Sequence, residues 1–237
     1  MPSILQTGRS YQLNGNALKL IAAVTMLIDH MGLMFFPQHM IFRVIGRLSF
    51  PIYAFMIAEG CHYTKNRLRY FLNVFLLGAA CQVVYFVFAN DTTINILLTF
   101  SCSIPIIYLL QDWKATAQHW RMIPFGAAIG LVYVLSKHIL FLYEFWGIMI
   151  PVFVALSYPP RNAKRNTGHR YCSVALLGLG LLLLCADSHP LQYYSLLALP
   201  ILLLYSGNRG KGNFKYVFYL FYPLHLAALQ AIAWLLG

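Results

Sequence analysis

The stretch Leu18 to Phe36, LKLIAAVTMLIDHMGLMFF, decides how the rest of the chain is read. It is almost wholly apolar and about as long as the roughly 20 residues that carry a helix across a bilayer. Yet it holds Asp29 and His30. A carboxylate at that depth costs roughly 2.5–3.5 kcal/mol on insertion scales. A helix that only had to span would carry leucine instead. Asp29 and His30 therefore read as facing a protein interior or a wet cavity, where they do chemistry or bind a ligand. The plainer alternative is that they hold helices together by hydrogen bonds.

Composition extends this reading to the whole chain. Of 237 residues, 60% are hydrophobic and 10% charged, with a mean hydropathy of +0.66. A soluble domain carries about 25% charged residues. The chain therefore reads as a single all-α, polytopic membrane bundle over 1–237, with no room for a separate soluble domain. Its net charge of +11 lies mostly in loops between apolar runs. There it sets orientation and meets anionic lipid. No basic stripe interleaved with aromatics is left for nucleic acid. The five cysteines form no CxxC pair and read as small buried hydrophobes.

Apolar runs predict spans at about 17–36, 41–63, 70–89, 94–110, 122–136, 139–157, 171–186, 191–205 and 214–236. Several are at or below the usual minimum of about 17 residues, so eight to ten spans fit, with nine the best count. Basic residues collect on the cytoplasmic side of membrane proteins. With nine spans and a cytoplasmic N-terminus, only Arg43, Arg47 and Lys137 of the 17 lysines and arginines fall outside. The predicted location is the cell membrane, multi-pass. Arg43 and Arg47 stand against the charge asymmetry, so they need an anionic ligand, a partner carboxylate or a re-entrant segment to explain them.

His30 is the leading general-base candidate, because imidazole titrates near neutral pH. Asp29 cannot simply orient it, since helix neighbours point about 100° apart. Asp29 is expected to pair with Arg47 on the next span. Glu59, with His62 one turn on, can orient His30, bind an amine or pair with Lys65. Arg43 and Arg47 can clamp a phosphate or carboxylate, or snorkel to outer headgroups. Lys65, Arg67 and Arg69 can meet the phosphates of a cytosolic nucleotide-type donor, or act as a topology signal alone. Asn95 is either an N-cap or a polar site residue. His225, beside Pro223, is a second site histidine or interhelical glue. Lys137 is a structural partner for Glu144. Pro51 is expected to kink the second span. No HExxH or CxxC spacing supports a metal, and none is expected.

Several pieces together resemble the TraX family of bacterial membrane proteins. They are Leu18-Lys19-Leu20-Ile21-Ala22 leading to Met26-Leu27-Ile28-Asp29-His30-Met31-Gly32; Gly46-Arg47-Leu48-Ser49-Phe50-Pro51; Ala58-Glu59-Gly60; Asn95-Ile96-Leu97; and Phe221-Tyr222-Pro223-Leu224-His225-Leu226. They occur in order along nearly the whole chain. The resemblance, and the more distant one to multi-span acyltransferases, implies an acetyltransferase. In it acetyl-CoA, or another acyl-CoA, is the donor substrate. The acceptor is an amine or hydroxyl on a peptide N-terminus, a glycan or a small molecule. The resemblance implies roles for Asp29, His30, Arg47, Glu59, Asn95 and His225. His30 would be the base, with Arg47 or Asn95 stabilising the oxyanion. The competing reading is a proton-coupled transporter or channel with Asp29, His30 and Glu59 as relay.

Overall fold

A computed structural model describes residues 12–89, 92–160, 163, 166–212 and 215–236. Arg9, Arg161, Lys164 and Arg165, counted above among the cytoplasmic charges, lie outside the described residues. Among those described there are ten α-helices and two 3-10 segments. There is no β-strand, only isolated bridges at Leu13–Tyr205 and Ile94–Phe141.

Helix α1 (Gly15–Phe35) covers the opening stretch. Asn14 caps it by accepting from Ala17 N at 2.9 Å. The next orphan donors, Gly15 and Asn16 N–H, reach the carbonyls of Asn208 and Arg209 at 2.8 and 3.1 Å. The start of the first helix is thus sealed by a loop almost 200 residues away, as the helix's unpaired N–H groups require.

The predicted second span is broken. Helix α2 (Met40–Gly46) ends before Arg47, and α3 (Ser49–Tyr63) begins two residues later. Pro51 explains the position. It is the third residue of α3, where its missing N–H has no intrahelical partner to lose. Its ring would meet the carbonyl four residues back, at Arg47. The break therefore falls at 47–48, ahead of the proline rather than at it. Ser49 Oγ takes up the freed Gly46 carbonyl at 2.9 Å.

Helix α3 is the centre of the molecule. Phe50, Ile52, Ala54, Phe55, Ala58, Glu59 and Cys61 are all within 3% of full burial, and α3 packs against α1, α5 and α7. Around it run α4 (Arg67–Ala89), α5 (Ile96–Thr116), α6 (Met122–His138), α7 (Glu144–Leu156), α8 (Thr167–Ala186), α9 (Ala198–Leu203) and α10 (Lys215–Leu236). The periphery is apolar: Leu76, Val83 and Ile123 are 61, 62 and 72% exposed. A water-facing surface avoids such extended apolar area, whereas lipid accepts it.

Among the described residues, five helical segments are long and apolar enough to cross a membrane: Gly15–Phe35, Met40–Tyr63, Arg67–Val87, Ile96–Thr116 and Thr167–Ala186. With α2 and α3 taken as one unit, the 3-10 segment His119–Arg121 joined to α6 and Pro190–Leu197 joined to α9, nine helical elements follow one another among the described residues. Three expected boundaries differ. Residues 111–116 continue α5 instead of opening a loop. Lys114 on that helix donates to the carbonyls of Ala155, Leu156 and Tyr158, closing the C-terminus of α7. The sixth element is short because 139–143 run irregularly alongside Ile94 before α7 starts. The eighth is 3-10 in its first half. Lys137 stacks over the Tyr133 ring at 5.4 Å; among the described residues no ion pair joins it to Glu144.

Candidate active site

Asp29 lies near the end of α1, and α2 returns across it. Arg43 Nη1 meets Asp29 Oδ2 at 2.9 Å, and Arg47 Nη2 reaches both carboxylate oxygens at 3.3 and 3.4 Å. The expected Asp29–Arg47 pair is present, with Arg43 as a second cation. Gly46 makes the approach possible. A Cβ there would lie 2.1 Å from Asp29 Oδ1. Arg47 is a hub as well as a counter-ion. Its Nε donates to Arg43 O at 3.4 Å, and its Nη1 donates to Tyr143 Oη at 3.2 Å and Gln192 Oε1 at 3.3 Å. A guanidinium has five N–H groups; the Nε hydrogen and both Nη1 hydrogens go to separate protein oxygens, and Nη2 meets the Asp29 carboxylate.

His30 points elsewhere, as the 100° step requires. Its Nδ1 lies 3.2 Å from Nε2 of His225 on α10, and its Nε2 lies 3.5 Å from Tyr85 Oη. The protons follow from the partners. His225 Nδ1 is 2.9 Å from the carbonyl of Phe221, which can only accept. His225 therefore carries its proton on Nδ1, and its neutral form presents a lone pair at Nε2. His30 must then donate from Nδ1, which leaves Nε2 with the lone pair. Stacking of His225 on Phe221 at 4.9 Å holds the ring in place.

Glu59 lies apart from this pair in its hydrogen bonding. It is 3% exposed and accepts from Tyr158 at 2.8 Å and Tyr205 at 3.2 Å. Burial raises the Tyr158 phenol well above its ordinary pKa, with the neighbouring Tyr205 adding to the effect, so it remains a donor to the carboxylate. His62 sets its ring edge-on to Tyr158 at 5.1 Å. Among the described residues, no three His, Cys, Asp or Glu side chains gather into a metal site.

The basic trio divides. Arg67 pairs with Asp112 at 2.7 Å and lies over the Tyr108 ring at 4.9 Å, while Lys65 and Arg69 are exposed. Asn95 caps α5, accepting from Leu97 N and Leu98 N at 3.0 and 3.3 Å. Its amide hydrogens go to Gly78 O at 2.7 Å and Gln82 Oε1 at 2.9 Å. As placed, it ties α5 to α4 and has no hydrogen left to offer.

A cavity of about 470 Å³ opens beside the Asp29 cluster, with Arg43, Arg47, Tyr143, Trp146 and Gln192 in its wall. Tyr143, Gln192 and Tyr85 were not singled out from the sequence. Each is an ordinary polar residue whose partner lies far along the chain.

Helices long and apolar enough to cross a bilayer, with ionisable clusters buried between them, are the pattern of a helical membrane protein. The TraX protein family matches residues 14–233, and the chain belongs to that family. It is 27% identical over 241 residues to "Probable fimbrial assembly protein FimC, serogroup H1" of Dichelobacter nodosus, covering 93% of this chain and 96% of that protein. An uncharacterized protein of Rickettsia prowazekii (strain Madrid E) is 30% identical over 110 residues, 46% of this chain and 41% of its own. No solved structure matches the chain.

Proposed function

We propose that this chain is an acyl-CoA-dependent acyltransferase of the cell membrane and that the group it moves is acetyl. The observation that supports this best is the His225–His30 relay, which leaves one imidazole lone pair, His30 Nε2, oriented as a base. In this reading an amine or hydroxyl acceptor loses its proton to His30 Nε2 as its nitrogen or oxygen bonds to the thioester carbonyl carbon. The carbonyl oxygen becomes an oxyanion. The C–S bond then breaks, and the thiolate of coenzyme A takes the proton back from the imidazolium. The acylated acceptor and free thiol leave, and His30 ends neutral.

Asn95 has both amide hydrogens directed at protein oxygens, and Arg47 is bound to Asp29, Tyr143, Gln192 and the Arg43 carbonyl. In this tautomer the Tyr85 hydroxyl, 3.5 Å from His30 Nε2, donates to that lone pair; when the acceptor's own proton takes that place, the hydroxyl is released to meet the oxyanion. Acyl-CoA enters from the cytoplasmic side, where Lys65 and Arg69 are exposed beside the committed Arg67. All nine elements cross the membrane, with the N-terminus inside and the C-terminus outside.

The test is acetyl-CoA titration into the purified protein, with thiol release followed in the same samples. The parent should bind acetyl-CoA and release thiol slowly. A His30→Ala variant should bind equally and release thiol about 100- to 10,000-fold more slowly, the usual worth of a general base. Absence of acetyl-CoA binding by the folded parent would overturn the proposal, and proton flux in liposomes would then test the transporter reading.

A further inference from the structure

The cavity beside Asp29 has a feature that acyl transfer does not by itself require. Gln192 is 3% exposed, and its Nε2 has no hydrogen-bond partner among the described residues. The orientation of its amide is determined. Arg47 has only donors, so the oxygen faces Arg47 and the NH2 group is turned away from it. Tyr143 is held in the same manner. Its hydroxyl oxygen accepts from Arg47, which leaves the hydroxyl hydrogen for another acceptor. Both residues line the cavity. A buried donor without a partner costs about 1–3 kcal/mol, and native proteins keep few of them.

The rest of the wall identifies what would satisfy these donors. Glu144 and Asp187 line the same cavity and offer carboxylate oxygens. The charges of Arg43 and Arg47 are already shared with Asp29. An inorganic anion would meet two carboxylates. A bare ammonium has no lone pair for Gln192 or Tyr143. Hydroxyl groups donate and accept at once, so a row of them fits both kinds of wall. Trp146 adds an aromatic face against which the C–H face of a sugar ring can lie. A cavity of about 470 Å³ is within the roughly 300–1,000 Å³ of small-molecule sites.

We infer that this cavity binds a neutral polyhydroxylated ligand, a saccharide unit, with Gln192 as a positioning donor. Only the ligand's fate rests on the transferase reading, since His30 is not among the residues of this wall. Binding itself does not depend on that reading.

The full chain would be purified in a detergent without a sugar headgroup. Binding of methyl glucoside, methyl galactoside and methyl mannoside would be measured by saturation-transfer NMR, beside glycinamide as the amine probe and phosphate as the anion probe. At least one glycoside should bind. Gln192→Met should weaken it about tenfold, the worth of one hydrogen bond. Each variant would be compared with the parent by thermal unfolding. If a Gln192 variant does not fold, Trp146→Ala serves instead, with loss of ring contacts as the readout. No glycoside binding by the folded parent, or binding indifferent to both Gln192→Met and Trp146→Ala, would overturn the inference. So would glycinamide binding that displaces every glycoside and is lost in Glu144→Gln, which would make the cavity an amine site. Glycoside binding without thiol release would leave this inference intact and count against the transferase alone.

Discussion

At Gly46 only a hydrogen fits between the end of α2 and the Asp29 carboxylate. Gly46→Ala would push a methyl group to within 2.1 Å of Oδ1 and force the carboxylate off Arg43 and Arg47. The expected cost is about 1–3 kcal/mol, as for other overpacked sites, read as a lower unfolding midpoint in detergent. An unchanged midpoint would mean the triad is not held as described. In the transferase reading the role of His225 is orientation. His225→Phe removes the acceptor for His30 Nδ1–H, so the neutral imidazole can place its proton on either nitrogen. Thiol release should slow at least about tenfold, as when a partner that orients an imidazole is lost, with acetyl-CoA affinity unchanged. His225→Gln keeps a carbonyl oxygen there and should restore part of the rate. No recovery with Gln, or an equal loss of affinity, would make His225 a packing residue only.

Among the helices, the decisive features are where they stop and what closes their ends. The 47–48 break turns α2 back over α1, which brings Arg43 to the same carboxylate as Arg47. The same logic runs through α5. Its start is held by Asn95, whose side chain caps the helix and also reaches Gly78 on α4. Asn95→Ala removes both functions and should destabilise the protein by about 1–2 kcal/mol, the upper range for a lost cap. Asn95→Asp keeps the cap but loses the tether, so it should recover part of that stability. Thermal unfolding of the two variants beside the parent measures it; equal midpoints for parent and Asn95→Ala would show that the cap carries no stability here.

For the whole molecule, orientation is the property most open to test. The turn at 187–190 and the loop at 206–212 lie at opposite ends of the eighth element, and the nine-span reading puts the first outside and the second in the cytoplasm. In a cysteine-free background, Ser188→Cys should react with an impermeant maleimide in intact cells. Asn208→Cys should react only after permeabilisation. The reverse pattern would invert the topology and remove the argument that Arg43 and Arg47 lie on the outer side.

Much of this was legible in the sequence because it depends on local rules. An apolar run of fixed length reports a helix, a charge inside it calls for a partner, and the distribution of lysine and arginine singled out Arg43 and Arg47. The Asp29–Arg47 pair followed from their similar depth in adjacent elements. The rest depends on contacts between distant positions, for which the sequence carries no periodic signal. Gln192 reaches Arg47 across 145 positions, Tyr205 reaches Glu59 across 146, and His225 reaches His30 across 195. A tyrosine or glutamine in an apolar run looks the same whether it packs, caps or lines a cavity. Only the folded arrangement supplies the Phe221 carbonyl that assigns the protons of two histidines, and only it brings Gln192 to Arg47 with its amide hydrogens turned away.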